Sequence, residues 1–197
     1  MTPRAGLDTK TIVIAAAQIA DESGIEEVTL AALAAKLGVR SPSLYNHING
    51  LQSLRTRLAI HGLEELYLFM SKAAEGVSGT NAVHAMGIAY LNFSRSHPGL
   101  YETTLRAPEG NNKELEDISE RILSLIIQVL QVYHLGEEGT IHAVRGLRSI
   151  LHGFASLEHK GGFGMPLDTN LSFSRLIDTF IAGIGRMNTE VNGNSSS

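Results

Sequence analysis

Residues 29–47, TLAALAAKLGVRSPSLYNH, decide how the rest of the chain is read. Thr29 is a favoured helix N-cap, and Val28 with Leu33 has the spacing of a hydrophobic staple, so a helix is predicted from Leu30. Leu30, Leu33, Ala34 and Leu37 share one face of it. Gly38 follows where a helix end needs a left-handed residue, and Val39 can turn back inward. Ser41 is then expected to cap a second helix that begins at Pro42, where a missing N–H costs nothing. Leu44 and Ile48, four apart, point to the core with Val39, which leaves Ser43, Asn46 and His47 on the opposite face. Two helices joined by so short a turn form a helix-turn-helix.

Outward from that stretch the chain reads as helix throughout. Asp8 or Thr9 can cap a helix that runs to Ser23 with an Ile12, Ala15, Ala16, Ile19 stripe and stops at Gly24. A long helix follows over 50–72, with Leu51, Leu54, Leu58, Gly62, Leu66 and Met70 along one seam, and Asn49 and Gln52 at capping-box spacing. EGVSGT, 75–80, is the sharpest break in composition. Further helices are predicted over 81–97, 100–106, 113–133 and 140–159, and a last one capped by Thr169 or Asn170. The second half of the 113–133 helix is apolar nearly all round, which predicts burial on several sides. The expectation is an all-α chain of about nine helices. Residues 1–50 are expected to form a three-helix head, 51–74 a connecting helix, 75–187 a larger helical region, and 188–197 a disordered tail.

LAAKLGVRSPSLYNHINGLQSL resembles the DNA-binding head of the TetR family of bacterial regulators, which has a capped helix, a Leu-Gly-Val turn, a recognition helix with Leu-Tyr-x-His/Tyr, and a long helix after it. The likeness spans residues 8–60. SHPGLYETTL and RSILHGFASLEHKGGFGMP are similar to the C-terminal region of the subgroup named for a Trp-His-Gly motif, although this chain reads Leu151-His152-Gly153. The resemblance implies that Tyr45 and His47 donate to DNA phosphates, that Ser43 and Asn46 face base edges, and that the helix capped by Thr29 offers its N-terminus to a phosphate. Ser41 and Pro42 open the recognition helix, and Lys36 and Arg40 flank it. Two positions that are basic in many members hold Ala31 and Leu51.

Charge and composition agree with a head that acts in pairs. The chain of 197 residues is 43% hydrophobic, enough for a sizeable core, and carries a net charge of −4. Residues 1–58 hold six basic side chains (Arg4, Lys10, Lys36, Arg40, Arg55, Arg57) against five acidic ones, whereas the remainder holds ten against fifteen. So few cations per head call for two heads on one DNA site. There is no cysteine, no signal-like N-terminus and no apolar run of membrane length, from which a cytoplasmic protein with no membrane partner is expected. The eight histidines lack converging spacing, and neither a G-x-S-x-G elbow nor an H-E-x-x-H pair occurs, so no catalytic residue, metal ligand or cofactor is assigned.

The resemblance further implies a small-molecule pocket in the later helices and a homodimer built on the last two. Candidate pocket residues, which combine apolar walls with a few polar groups, are Met86, Tyr90, Phe93, Tyr101, Ile122, Ile126, Arg148 and His152. Leu151, Phe154, Phe173, Leu176, Phe180 and Ile184 are the candidate dimer core. The function these expectations describe is a ligand-responsive repressor that binds a palindromic operator as a homodimer and is released by an inducer. The alternative is a helical ligand-binding dimer with little specific DNA affinity.

Overall fold

A computed structural model of the chain describes residues 7–105 and 112–193, with side chains as far as Met187. Residues 1–6, where a mobile arm carrying Arg4 is expected from the sequence, residues 106–111, most of the APEGNN stretch expected as a loop, and the last four residues lie outside the described residues. Among the described residues there are nine α-helices, two 3₁₀ turns and no strand. They group into two compact units, residues 1–66 with 96–118, and residues 67–95 with 119–197. Three helices contribute residues to both.

The first unit starts with α1, Thr9–Ser23, whose Asp8 side chain accepts from the N–H of Thr11 at 2.7 Å. That hydrogen bond holds the Asp8 carboxyl below its ordinary value. Ile12, Val13, Ala16, Ile19 and Ala20 turn inward. A 3₁₀ turn, Ile25–Glu27, leads to α2, Leu30–Leu37, and then α3, Ser41–Leu44. The first part of α4, Gly50–Ala74, and the short α6, Pro98–Thr103, complete the packing.

Helix α6 is seated by four features. Asp21 on α1 accepts from the N–H of Leu100 at 2.8 Å and pairs with His97 Nδ1 at 2.9 Å, so one carboxylate covers the helix N-terminus. Gly99 lies directly on the carbonyl of Ala20, where no side chain fits. Thr103 donates to the carbonyls of Leu100 and Leu58, at 2.7 and 3.3 Å. A Cβ at Gly62 would come within 2.9 Å of the Thr104 methyl. The helix therefore begins at Pro98 rather than at Leu100 as expected, with the proline in the first turn, where no N–H is needed.

The second unit holds the end of α4, helix α5 (Gly79–Ser96), the later part of α7 (Lys113–Leu130), a 3₁₀ turn Gln131–Tyr133, then α8 (Gly136–His159) and α9 (Thr169–Gly193). Its core joins Gly87 on α5 with Leu151, Phe173 and Ile177, and Phe154 meets Phe173 edge-on at 4.9 Å. The expected interhelical loop over Gly136–Gly139 is instead the first turn of α8, where Glu137 and Glu138 suit the positive end of the helix. Asp168, not Thr169 or Asn170, receives the first-turn N–H of α9, at 2.9 Å. Helix α9 continues to Gly193, into the stretch expected as a disordered tail.

Arg95 ties three of these elements together. It makes two 2.7 Å bonds to the carboxylate of Glu158 near the end of α8 and one of 2.9 Å to Asn170 at the start of α9. Bidentate geometry makes this a stronger pair than most surface pairs, and the guanidinium holds the Glu158 carboxyl below its ordinary range. A carboxyl whose pKa is lowered by folding adds stability above its unfolded value and loses it as pH falls through the folded one. Glu158→Gln should thus cost about 1 kcal/mol at pH 7, the usual value for a charged hydrogen bond discounted for partial exposure. Melting curves at pH 7 and pH 3 should show the gap between variant and parent closing on acidification; a gap independent of pH would count against the pair.

Candidate functional site

The helix-turn-helix is assembled by local signals, each visible in hydrogen bonds. Thr29 Oγ1 accepts from the N–H of Ala32 at 3.1 Å, and the staple partners Val28 and Leu33 are 1% and 0% exposed. Gly38 adopts φ 66°, ψ 31° and its N–H caps α2, while the N–H of Val39 returns to Ala34 at 3.0 Å. Leu44 and Ile48 are buried in the head. The second helix is shorter than expected. It starts at Ser41, with Arg40 as its N-cap and no side-chain cap bond, so Ser41 is a helical residue rather than the cap. After Leu44 the chain goes into a turn over 45–47, held by the N–H of His47 on the carbonyl of Leu44 at 2.9 Å. The hydroxyl of Thr9 also reaches the His47 carbonyl, at 3.4 Å, which ties this turn to the start of α1.

The result is a small polar surface on a rigid base. Tyr45 is 58% exposed, Pro42 and Asn46 are exposed, and Ser41, Ser43 and His47 are partly exposed. Thr29 is exposed while it caps α2. These groups offer hydroxyl, amide and imidazole donors of the kind that meet phosphates and base edges. Lys36 is differently employed: its ammonium sits 3.1–3.2 Å from both carboxylate oxygens of Glu22. Arg55 lies 3.8 Å from Glu26. Arg40 is exposed.

The candidate pocket and interface residues occupy different environments. Met86, Tyr90, Phe93 and Ile126 are buried core side chains of the second unit, Ile122 and His152 are partly exposed, and Arg148 is exposed. Tyr101, also buried, belongs to the first unit. None of these residues lines the cleft of about 680 Å³ that the second unit does contain, between the end of α4, the start of α5 and the end of α7. In the second half of α7 Ile126, Val129 and Leu130 are buried as expected, whereas Leu123 is 39% exposed and Val132, in the turn after the helix, 48%. Of the candidate dimer residues, Leu151, Phe154, Phe173 and Ile184 are buried within the single chain, whereas Leu176 and Phe180 stay partly exposed. Among the described residues no group of three or more His, Asp or Glu is placed to hold a metal ion, and no helix is long and apolar enough to cross a membrane.

Residues 83–180 match the family described as tetracyclin repressor-like, C-terminal domain. Over 185 residues the chain is 43% identical to the HTH-type transcriptional regulator YobS of Bacillus subtilis (strain 168), covering 93% of this chain and 96% of that one. A TetR variant from Acinetobacter baumannii AYE, solved in complex with minocycline, superposes with a TM-score of 0.69 at 20% identity, covering 93% of this chain and 99% of that one. A Rhodococcus sp. RHA1 protein of unknown function superposes with a TM-score of 0.79 at 19% identity, covering 93% and 98%. At such identity the two superpositions speak for the fold.

Proposed function

Because the chain belongs to the TetR family of DNA-binding, helix-turn-helix transcriptional regulators, we propose that it acts as a cytoplasmic homodimeric repressor. Two heads occupy successive major grooves of a roughly palindromic operator, and a small-molecule inducer bound by the second unit releases them. The observation that carries this reading is the polar surface of exposed Tyr45 and Asn46 and partly exposed His47 beside a capped α2, on a head that buries Ile12, Val28, Leu33, Leu44 and Ile48. Tyr45 and His47 serve as phosphate donors, Ser43 and Asn46 as base readers, and Thr29, Arg40, Ser41 and Pro42 frame the contact. Helix α4 has residues in both units and is the proposed coupling element. The solved relative that holds minocycline supports a small-molecule effector. The relatives are regulators, a non-enzyme class.

The engaged state of Lys36 and Arg55 favours a second reading, a ligand-binding dimer with weak DNA affinity. Fluorescence anisotropy against the DNA upstream of the coding region, at two salt concentrations, separates the two. A repressor should bind that DNA well above scrambled DNA, with a salt slope near −0.9 per neutralised phosphate. Equal binding to both sequences would favour the second reading. Tyr45→Phe with His47→Ala should weaken operator binding about tenfold or more with helicity and dimerisation intact. If the double variant unfolds, these side chains are packing groups.

A further inference from the structure

Two helices of the second unit present matched stripes to one cleft. On the end of α4 and the turn after it the stripe is Leu68, Ser71, Lys72 and Glu75, and on α7 and the turn after it Leu125, Gln128, Val129 and Val132. Each repeats as i, i+3, i+4, i+7, the spacing of one helix face. Apart from Val129, which is 8% exposed and shared between cleft and core, these stripes are not the faces with which the helices enter the core: α4 buries Leu54, Leu58, Leu66 and Met70, and α7 buries Ile118, Ile126 and Leu130. Val77 and Ala82 also line this open cleft, whose volume is about 680 Å³, within the range of small-molecule sites. Single exposed apolar side chains need no explanation. Here Leu68, Val77 and Val132, 54%, 42% and 48% exposed, come from three different elements and face the same cleft.

We propose that this cleft binds a net-neutral amphipathic small molecule. The wall from α7 is mostly apolar and takes the body of the ligand. The wall from the end of α4 and the turn after it offers a hydroxyl, an ammonium and a carboxylate, and Ser78 and Gln128 add further hydrogen-bonding groups to the lining. Lys72 and Glu75 are one turn apart and cancel in charge, so the lining favours a head that both donates and accepts hydrogen bonds over one with a full charge. The proposal deepens the effector reading, which it rests on only for the consequence of binding.

Occupancy is measured on the full chain without DNA, so its failure is distinct from a failure of operator binding. The probe is N-phenyl-1-naphthylamine, which is uncharged, with its sulfonated counterpart 8-anilinonaphthalene-1-sulfonate as the charged control. Fluorescence titration should give one saturable site for the neutral probe, at least tenfold tighter than for the sulfonate. Methyl-labelled spectra should place the shifts at Leu68, Val77, Leu125, Val129 and Val132. Leu68→Gln with Val132→Gln, both at half-exposed positions, should weaken the neutral probe at least tenfold with the circular dichroism unchanged, while Ile88→Gln, 49% exposed and outside the lining, should leave it as it was. Shifts centred on other methyls, unchanged binding in the double variant, or no saturable site would overturn the site. Tighter binding of the sulfonate would overturn the assigned class.

Discussion

Gly99→Ala is expected to unseat α6 and lower the melting temperature by roughly 6–12 °C. The added Cβ would overlap the carbonyl group of Ala20 and stand 2.7 Å from the amide nitrogen of Asp21. These are backbone atoms of a buried helix end, so no side-chain rotation relieves the overlap. Either α6 moves or the last turn of α1 opens, and each response also breaks the bond from Leu100 to Asp21 and the pair with His97. Overpacking of this kind costs about 3 kcal/mol, at the upper end of what an inserted methyl does, and about 2–4 °C accompanies each kcal/mol at this chain length. Gly87→Ala is the matched control. Its Cβ would meet only side chains, the tips of Ile177 and Leu151 at 3.4 Å and the Phe173 ring at 3.6 Å, in the interior of α5, where alanine is the better helix former. Its melting temperature should be unchanged or slightly raised. Should Gly99→Ala melt within about 2 °C of the parent, the seating of α6 on α1 described above is wrong.

That contact also shows where sequence reading reached its limit. The head was legible because each of its signals is local: Thr29 three residues before the N–H it caps, Gly38 at the end of the helix it stops, Leu44 and Ile48 one turn apart. Nothing local marks Asp21 as the cap of a helix whose Leu100 N–H comes from far along the chain. Pro98 and Gly99 read as a break between helices, yet Pro98 starts the next helix and Gly99 is required by a neighbour distant in sequence. The α8 start was misplaced for a related reason, since Gly136 and Gly139 look like a loop until Glu137 and Glu138 are weighed as first-turn residues. For the candidate pocket, apolar periodicity marked Met86, Tyr90 and Phe93 as inward, which they are, but periodicity does not distinguish a filled core from a cleft. The 68, 71, 72, 75 and 125, 128, 129, 132 stripes were readable as helix faces; that they face each other was not.

Leu157→Glu is expected to convert the proposed dimer into a folded monomer, with operator affinity falling by at least a hundredfold. Because Leu151, Phe154, Phe173 and Ile184 are already buried within one chain, a partner must meet what α8 and α9 leave uncovered. On α8 that is Gly146, Ile150, Gly153 and Leu157, and on α9 Leu176, Phe180, Gly183 and Met187, each set spaced i, i+4, i+7, i+11. Phe180 lies within 3.4 Å of the position a Gly146 Cβ would take, which joins the two stripes into one surface. Leu157 and Met187 are 52% and 44% exposed in the single chain, and Gly153 opens onto free space. Facing copies of such a pair form a four-helix arrangement related by a two-fold axis. A carboxylate at Leu157 stays hydrated in the monomer, so the fold should hold, whereas in the dimer it would be buried without a partner. Phe173→Glu, at a position 2% exposed, should instead unfold the second unit. Sedimentation velocity with far-ultraviolet circular dichroism distinguishes these results, and operator titration reads the loss of the second head, because each head alone has few phosphate contacts. A Leu157→Glu protein that still sediments as a dimer would place the interface on another face.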